Sequence, residues 1–205
     1  PYQITGLTAD TDYDVYVQAD CGSGDESNWV GPLSVYTGYC TPVYTSTSDY
    51  TSSITTVGAV TNISYSASSQ PTGGYADETA QVFESYETQT FDINTTFVGG
   101  SNTMYIWVDW NNDLIFDASE LVSSYSPNTS QTISFTVPAG TAMGDYRMRI
   151  RSRYSTTAID ACESTSFGSA VDFTLSIVAP PSCLPVTDIA TTSATFQTST
   201  ITWTA

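Results

Sequence analysis

The segment Asp109-Trp110-Asn111-Asn112-Asp113-Leu114-Ile115-Phe116-Asp117-Ala118-Ser119-Glu120 has the residue types and spacing that suit a hard cation. Calcium takes six to eight oxygen ligands, and a loop offering oxygens at alternate positions can wrap one. Asp109, Asn111 and Asp113 stand at loop positions 1, 3 and 5, and Ile115 offers its carbonyl at 7. Asp117 at 9 would bind through water, and Glu120 falls at 12, where a bidentate carboxylate belongs. Leu114 breaks the pattern, because it stands where a glycine normally makes the sharp turn. A left-handed leucine costs roughly 1–2 kcal/mol. The expectation is a structural calcium ion of the weak to moderate affinity found in extracellular modules, with a bridge to a sugar hydroxyl as a lesser role. The competing reading is a polar turn whose Asp and Asn side chains cap their own backbone.

A second constellation is Arg147-Met148-Arg149-Ile150-Arg151-Ser152-Arg153, which holds every cationic side chain of the sequence. Side chains two apart on a strand share a face, so Arg147, Arg149, Arg151 and Arg153 form a ladder about 7 Å apart. Unpaired, these guanidiniums repel one another. The favoured reading is structural, with carboxylates such as Glu84, Glu87, Asp92 or Asp172 paired to the ladder. The alternative is a site for an acidic polysaccharide, since Arg grips carboxylate and sulfate in bidentate fashion.

Other signals are weaker. Tyr44, Tyr50, Tyr65, Tyr75, Tyr86, Tyr125 and Trp110 lie in polar contexts where rings can stack on sugars, yet Tyr is also an ordinary half-buried strand residue. Acid pairs such as Asp77/Glu78 and Glu84/Glu87 serve a glycosidase only when two carboxyls face each other across a cleft. The chain has no histidine, so it lacks the commonest general base and any Ser-His-Asp or Cys-His triad. The reading is therefore a non-enzyme. Net charge is −17, a field that repels nucleic acid and anionic membrane and suits divalent cations, neutral glycans or cationic partners. No apolar run reaches membrane-spanning length, so no membrane insertion is expected. The start at Pro1, with no basic-then-apolar leader, reads as a cut from a longer precursor.

The elements that position these residues are strands. Alternation runs through Ile54–Val60, Val82–Ile93, Met104–Trp110, Thr132–Val137, Asp145–Tyr154 and Val171–Val178. Turn residues separate them at Gly73-Gly74, Gly99-Gly100, Asn111-Asn112, Pro138-Ala139-Gly140 and Gly168, and no long segment has a helical period. The fold class is all-β, an antiparallel β-sandwich over residues 39–180.

Both flanks differ from this unit. In 1–38, Tyr2-Gln3-Ile4 reads as a short strand, Asp14 to Ala19 as an alternating strand and Leu33 to Thr37 as a last one. The run Leu7-Thr8-Ala9-Asp10-Thr11-Asp12-Tyr13 resembles the tyrosine corner of fibronectin type III domains, with Leu7 in the core. In 181–205, Pro185 to Ile189 and Ile201 to Thr204 resemble the first two strands of such a domain, with Trp203 as the core tryptophan. The resemblance implies a fibronectin type III end and start around the middle unit.

The middle unit resembles the GEVED domain of secreted Bacteroidota proteins. The resemblance is carried by Gly38-Tyr39-Cys40, by Trp107 to Asp113 leading to Glu120, by Val137-Pro138 followed by Gly144 to Arg149, and by the closing Gly168 to Phe173. Ser169 and Val171 stand where the family has two Glu and Phe173 where it has Tyr, while Gly168 and Asp172 are kept. The resemblance implies a non-catalytic module of a large secreted or surface-displayed protein, often exported by the type IX route. Its implied roles are adhesin, filament or stalk, with neighbouring domains, glycans or a host or substratum surface as partners. The rival is a carbohydrate-binding accessory module of a secreted hydrolase.

Four cysteines with no CxxC pair, at 21, 40, 162 and 183, suggest disulfides in an oxidising, extracellular compartment. Cys40 opens the middle unit and Cys162 precedes its last strand, so these two are expected to bond. Closing so long a loop contributes on the order of 4–5 kcal/mol in the chain-entropy model. Cys21 and Cys183 have partners outside the segment or bond to each other.

Overall fold

The computed structural model describes residues 3–154, 160–182 and 187–204, with the side chains of 125–127, 187, 188, 203 and 204 outside the description. Nine strands form the middle unit: β3 (Tyr50–Val57), β4 (Ser64–Ser66), β5 (Tyr75–Ser85), β6 (Thr90–Val98), β7 (Asn102–Val108), β8 (Leu121–Asn128), β9 (Ser130–Thr136), β10 (Gly144–Tyr154) and β11 (Ser169–Ile177). They make a five-stranded sheet in the order β5-β11-β10-β7-β8 and a four-stranded sheet in the order β4-β3-β6-β9. All neighbours are antiparallel except β11 and β5.

Alternation explains why these segments pair face to face. Ile54 of β3, Phe91 and Ile93 of β6 and Ile133 and Phe135 of β9 point inward from one sheet. Met104, Ile106, Met148, Ile150, Val171, Phe173 and Leu175 point inward from the other. Rings meet across the gap, Tyr65 edge-on to Phe173 and Phe83 edge-on to Phe91. The all-β sandwich expected from the sequence is thus the observed fold. One boundary differs: the alternation over 82–93 is two strands, broken at 86–89, where Thr88 takes a φ of 65°. β4 and β8 are further strands that the alternation did not reveal.

The outer faces of the two sheets contrast. On the four-stranded sheet, register lines up Ser53, Thr96 and Ser130, then Thr55, Asn94 and Thr132, then Asp92 with Ser134, then Thr90 with Thr136. Their side chains bond across strands, as in Ser53–Thr96 at 2.7 Å and Thr132–Asn94 at 2.7 Å. Asp92 is the one charged residue among these, so this face is nearly neutral. On the five-stranded sheet the outward residues of the central strands are covered. Tyr105 and Trp107 pack with Phe116 and Ala161, joined by Tyr39 and Cys162.

One end of the sandwich holds a buried carboxyl. Asp49 is 3% exposed, its Oδ1 meets no donor among the described residues, and burial raises its pKa despite a bond from Asn102. A carboxyl whose folded pKa is raised adds stability that is complete below its unfolded pKa, near 4, and is lost as pH rises through the folded value. Asp49→Asn removes that penalty. Thermal melts should show the variant more stable than the parent at pH 7, by about 2–6 °C for roughly 1 kcal/mol, and within about 1 °C of it near pH 3.5.

The flanks are two-stranded. β1 (Asp12–Val17) pairs with β2 (Val30–Tyr36), and β12 (Thr187–Ala194) with β13 (Ser199–Thr204). The Tyr13 hydroxyl accepts the Thr8 N–H at 2.8 Å, the bond a tyrosine corner makes. Leu7, expected in a core, is 40% exposed, and Gln3 and Ile4 belong to no strand. Cys183, Pro185, Val186 and the Trp203 side chain lie outside the described residues.

Candidate functional site: the arginine ladder and the 109–120 loop

Cys40 and Cys162 are joined by a disulfide with Cα atoms 5.6 Å apart, as expected. Cys21 is exposed and has no disulfide partner among the described residues. The bond pins two segments, one around Cys40–Thr45 and one around Asp160–Phe167, onto the outer face of the five-stranded sheet. A parallel bridge between Tyr44 and Thr165 and a bond from the Thr165 N–H to the Val43 carbonyl tie them together.

Beneath that strap lies the arginine ladder. Arg149 and Arg151 are both 0% exposed. Arg149 donates from Nε to Asp172 Oδ1 at 2.7 Å and from Nη2 to Asp172 Oδ2 at 2.8 Å. Its other donors reach the Cys40 carbonyl at 2.8 Å, the Ala161 carbonyl at 3.0 Å and Cys40 Sγ at 3.1 Å. Phe116 lies under the guanidinium, its centroid 4.7 Å away. Burial pulls the Arg149 pKa down, but the Asp172 bonds and charge outweigh it and leave it raised. Asp172 also accepts from the Tyr75 hydroxyl at 3.0 Å, and that phenol is held well above its usual range, chiefly by burial and then by the Asp172 charge.

The other rungs differ. Among the described residues Arg151 forms no ion pair with a carboxylate. It donates to the Tyr44 hydroxyl at 2.6 Å and to the carbonyls of Asp160 and of Glu163, the latter at 2.7 Å. Burial lowers its pKa. Arg147, at one end, lies 3.4 Å from Asp172 and 3.7 Å from Asp77, with its guanidinium over the Tyr39 ring at 4.6 Å. Arg153, at the other end, pairs with Glu163 at 3.6 Å. Of the carboxylates considered from sequence, only Asp172 meets the ladder. Glu84 accepts from Thr61, Glu87 from the Gly140 N–H and Asp92 from Ser134. The acids that sequence reasoning missed, Asp77 and Glu163, stand at its ends.

The two residues kept in the closing motif have physical roles. Asp172 is the buried anchor of Arg149. At Gly168, with φ +119°, an added Cβ would lie 2.0 Å from the Ser152 carbonyl oxygen. Ser169, in place of Glu, is fully buried and accepts the Thr51 N–H at 2.9 Å.

The 109–120 loop winds on its own backbone. Asp109 Oδ1 and Oδ2 accept the N–H groups of Asp113 at 3.3 Å and Leu114 at 3.0 Å, and Oδ2 also accepts the Tyr39 hydroxyl at 2.6 Å. Asn111 Oδ1 accepts the Asp113 N–H, and Asp113 Oδ1 the Ile115 N–H, each at 2.9 Å. Asp117 caps a 3₁₀ turn over Ala118–Glu120. Glu120 Oε1 and Oε2 take the N–H groups of Trp110 at 3.0 Å and Asp117 at 3.2 Å, closing the loop. Leu114 does adopt the left-handed turn, with φ 70°, beside Asn112 at 54°.

Whether these residues suit calcium rests on their charge. Asp109 is 0% and Glu120 4% exposed, and among the described residues neither forms an ion pair with a cationic side chain. Burial, then the Asp109 charge, pushes the Glu120 pKa up against its backbone bonds. Asp109, Asp113, Asp117 and Glu120 supply hard oxygens whose type and order along the chain suit calcium. Among the described residues no three acidic side chains converge as a ready cage.

Of the seven rings considered from sequence, Tyr44, Tyr50 and Tyr65 are buried, Tyr75, Tyr86 and Trp110 are half-buried, and the Tyr125 side chain lies outside the described residues. No curated protein matches the chain. The family model of the GEVED domain matches residues 103–176, and over this stretch, which spans the 109–120 loop, the arginine ladder, Cys162 and Asp172, the chain is similar to that family.

Proposed function

We propose that this chain is a non-catalytic stretch of a large secreted or cell-surface protein of adhesin, filament or stalk type, stiffened by its disulfide and by calcium in the 109–120 loop. The observation that carries this reading is where the chemically capable side chains go. Arg149, Arg151, Asp172, Asp109 and Glu120 are all enclosed and bonded to backbone or to each other. That arrangement builds a rigid body around these five side chains. Calcium would add to the loop a charge that balances Asp109 and Glu120, with Asn111, Asp113, Asp117 and the Ile115 carbonyl as further oxygens. The apolar side chains exposed on the flanking hairpins, such as Val30 at 74% and Leu33 at 66%, support their reading as parts of fibronectin type III sandwiches. The GEVED resemblance supports a Bacteroidota surface protein exported by the type IX route.

A second reading, a carbohydrate-binding accessory module of a secreted hydrolase, is favoured by the neutral, hydroxyl-lined face of the four-stranded sheet. Hydroxyls donate and accept, as sugars do. The experiment is attachment of beads coated with the full chain to protein-coated and glycan-coated surfaces, in calcium and in chelator. The adhesive reading expects attachment in calcium, lost on chelation, with no glycan cleaved. Attachment to neutral glycans alone would favour the accessory module. Attachment to neither surface would sink both and leave a spacer.

A further inference from the structure

We propose that the Cys40–Cys162 disulfide is directional: a low-molecular-mass thiol adds at Cys162, and Cys40 departs as a thiolate held by Arg149. The two sulfurs differ in their surroundings. Arg149 Nη1 stands 3.1 Å from Cys40 Sγ, and the same guanidinium binds the Cys40 carbonyl at 2.8 Å. Among the described residues no guanidinium donates to Cys162 Sγ, and the Cys162 N–H is bonded to Asp160 Oδ1 at 2.7 Å. Both cysteines are half-buried, so the bond is neither sealed nor freely open.

In thiol–disulfide exchange the leaving sulfur departs faster the lower its thiol pKa, and a nearby cation lowers that pKa. Arg147 and Arg149 face Asp172, Arg147 also faces Asp77, and Glu163 acts on Arg151. Among these groups the Arg149 guanidinium is the one that donates to Cys40 Sγ, so a thiolate formed at Cys40 is held there. An incoming thiolate therefore forms its new S–S bond with Cys162, the Cys40–Cys162 bond breaks, and its electron pair settles on Cys40 Sγ against Arg149. A second thiol of the same class then attacks the mixed disulfide, releasing the Cys162 thiolate and leaving as an oxidised thiol pair. Electrons and protons balance, with the external thiol as reductant. Opening frees the strap segments whose carbonyls, at Cys40 and Ala161, complete the Arg149 shell.

The test exposes the full chain to excess reduced glutathione at pH 8, quenches in acid, alkylates, and maps the glutathione adduct by peptide mass spectrometry. The expected result is at least a fivefold excess of adduct on Cys162 over Cys40. An even split, or an excess on Cys40, would overturn the proposal. Arg149→Gln should bring the ratio below twofold. If that variant does not fold, the parent in 8 M urea gives the same readout, because the guanidinium is then dispersed. A bias that persists in urea would trace to local sequence and would overturn the role of Arg149.

Discussion

Asp172→Ala is expected to cost about 3–5 kcal/mol in equilibrium urea unfolding, enough to leave little of a domain's usual margin. The loss comes from what remains, since Arg149 would stay enclosed with three of its bonds but without a counter-charge. Both partners are 0% exposed, so solvent cannot take over the screening. The Tyr75 hydroxyl would lose its acceptor as well. Replacing both partners, Arg149→Met with Asp172→Leu, removes the charges together. That double variant should lose less than the single one, about 1–3 kcal/mol, since the Cys40 and Ala161 carbonyls give up their donors but neither member of the pair is left buried without the other. A single variant as stable as the parent would mean that the guanidinium reaches water.

The contrast between the two outer faces follows from the same ladder. Reading Arg147 to Arg153 as a strand puts four guanidiniums on one side, and the structure does so. Their burial was not legible, because it depends on segments 109 residues away in one direction and 12 in the other, Cys40 and Ala161 against Arg149. Only the disulfide expectation hinted that these segments meet on that sheet. The self-capping of the loop, the competing reading from sequence, is a local matter, since its Asp and Asn acceptors serve N–H groups two to five residues ahead. Leu114 shows the limit of local reasoning. Its side chain argued against the turn, yet the bonds from Asp109 and the closure by Glu120 impose it. The break at 86–89 had no glycine or proline to announce it. There Gln89 supplies the signal from its side chain, accepting from the Ser85 hydroxyl at 2.9 Å and donating to the Gly58 carbonyl at 2.7 Å. The Asp49 carboxyl was equally silent, because nothing in Ser48-Asp49-Tyr50 distinguishes a buried acid from a turn residue.

The second large expected effect is that of calcium. The buried acids of the loop set its sign: Glu120, with its pKa raised, and Asp109 beside it are better tolerated with a cation than without. An extracellular site with Kd of about 10⁻⁴–10⁻³ M, given 10 mM calcium, stabilises the folded state by about 1.4–2.7 kcal/mol. For a unit of this size that is a rise of about 3–10 °C in melting temperature. Asp113→Ala removes a loop oxygen that is exposed and outside the core, so the variant should fold and lose most of the rise. The direct measurement is a thermal melt of the full chain under non-reducing conditions, in 10 mM calcium and in chelator, beside Asp113→Ala. A calcium-stiffened module predicts the upward shift in the parent and its near absence in the variant. Superimposable melts of the parent in the two conditions would contradict it and leave residues 109–120 as a polar turn held by its own backbone.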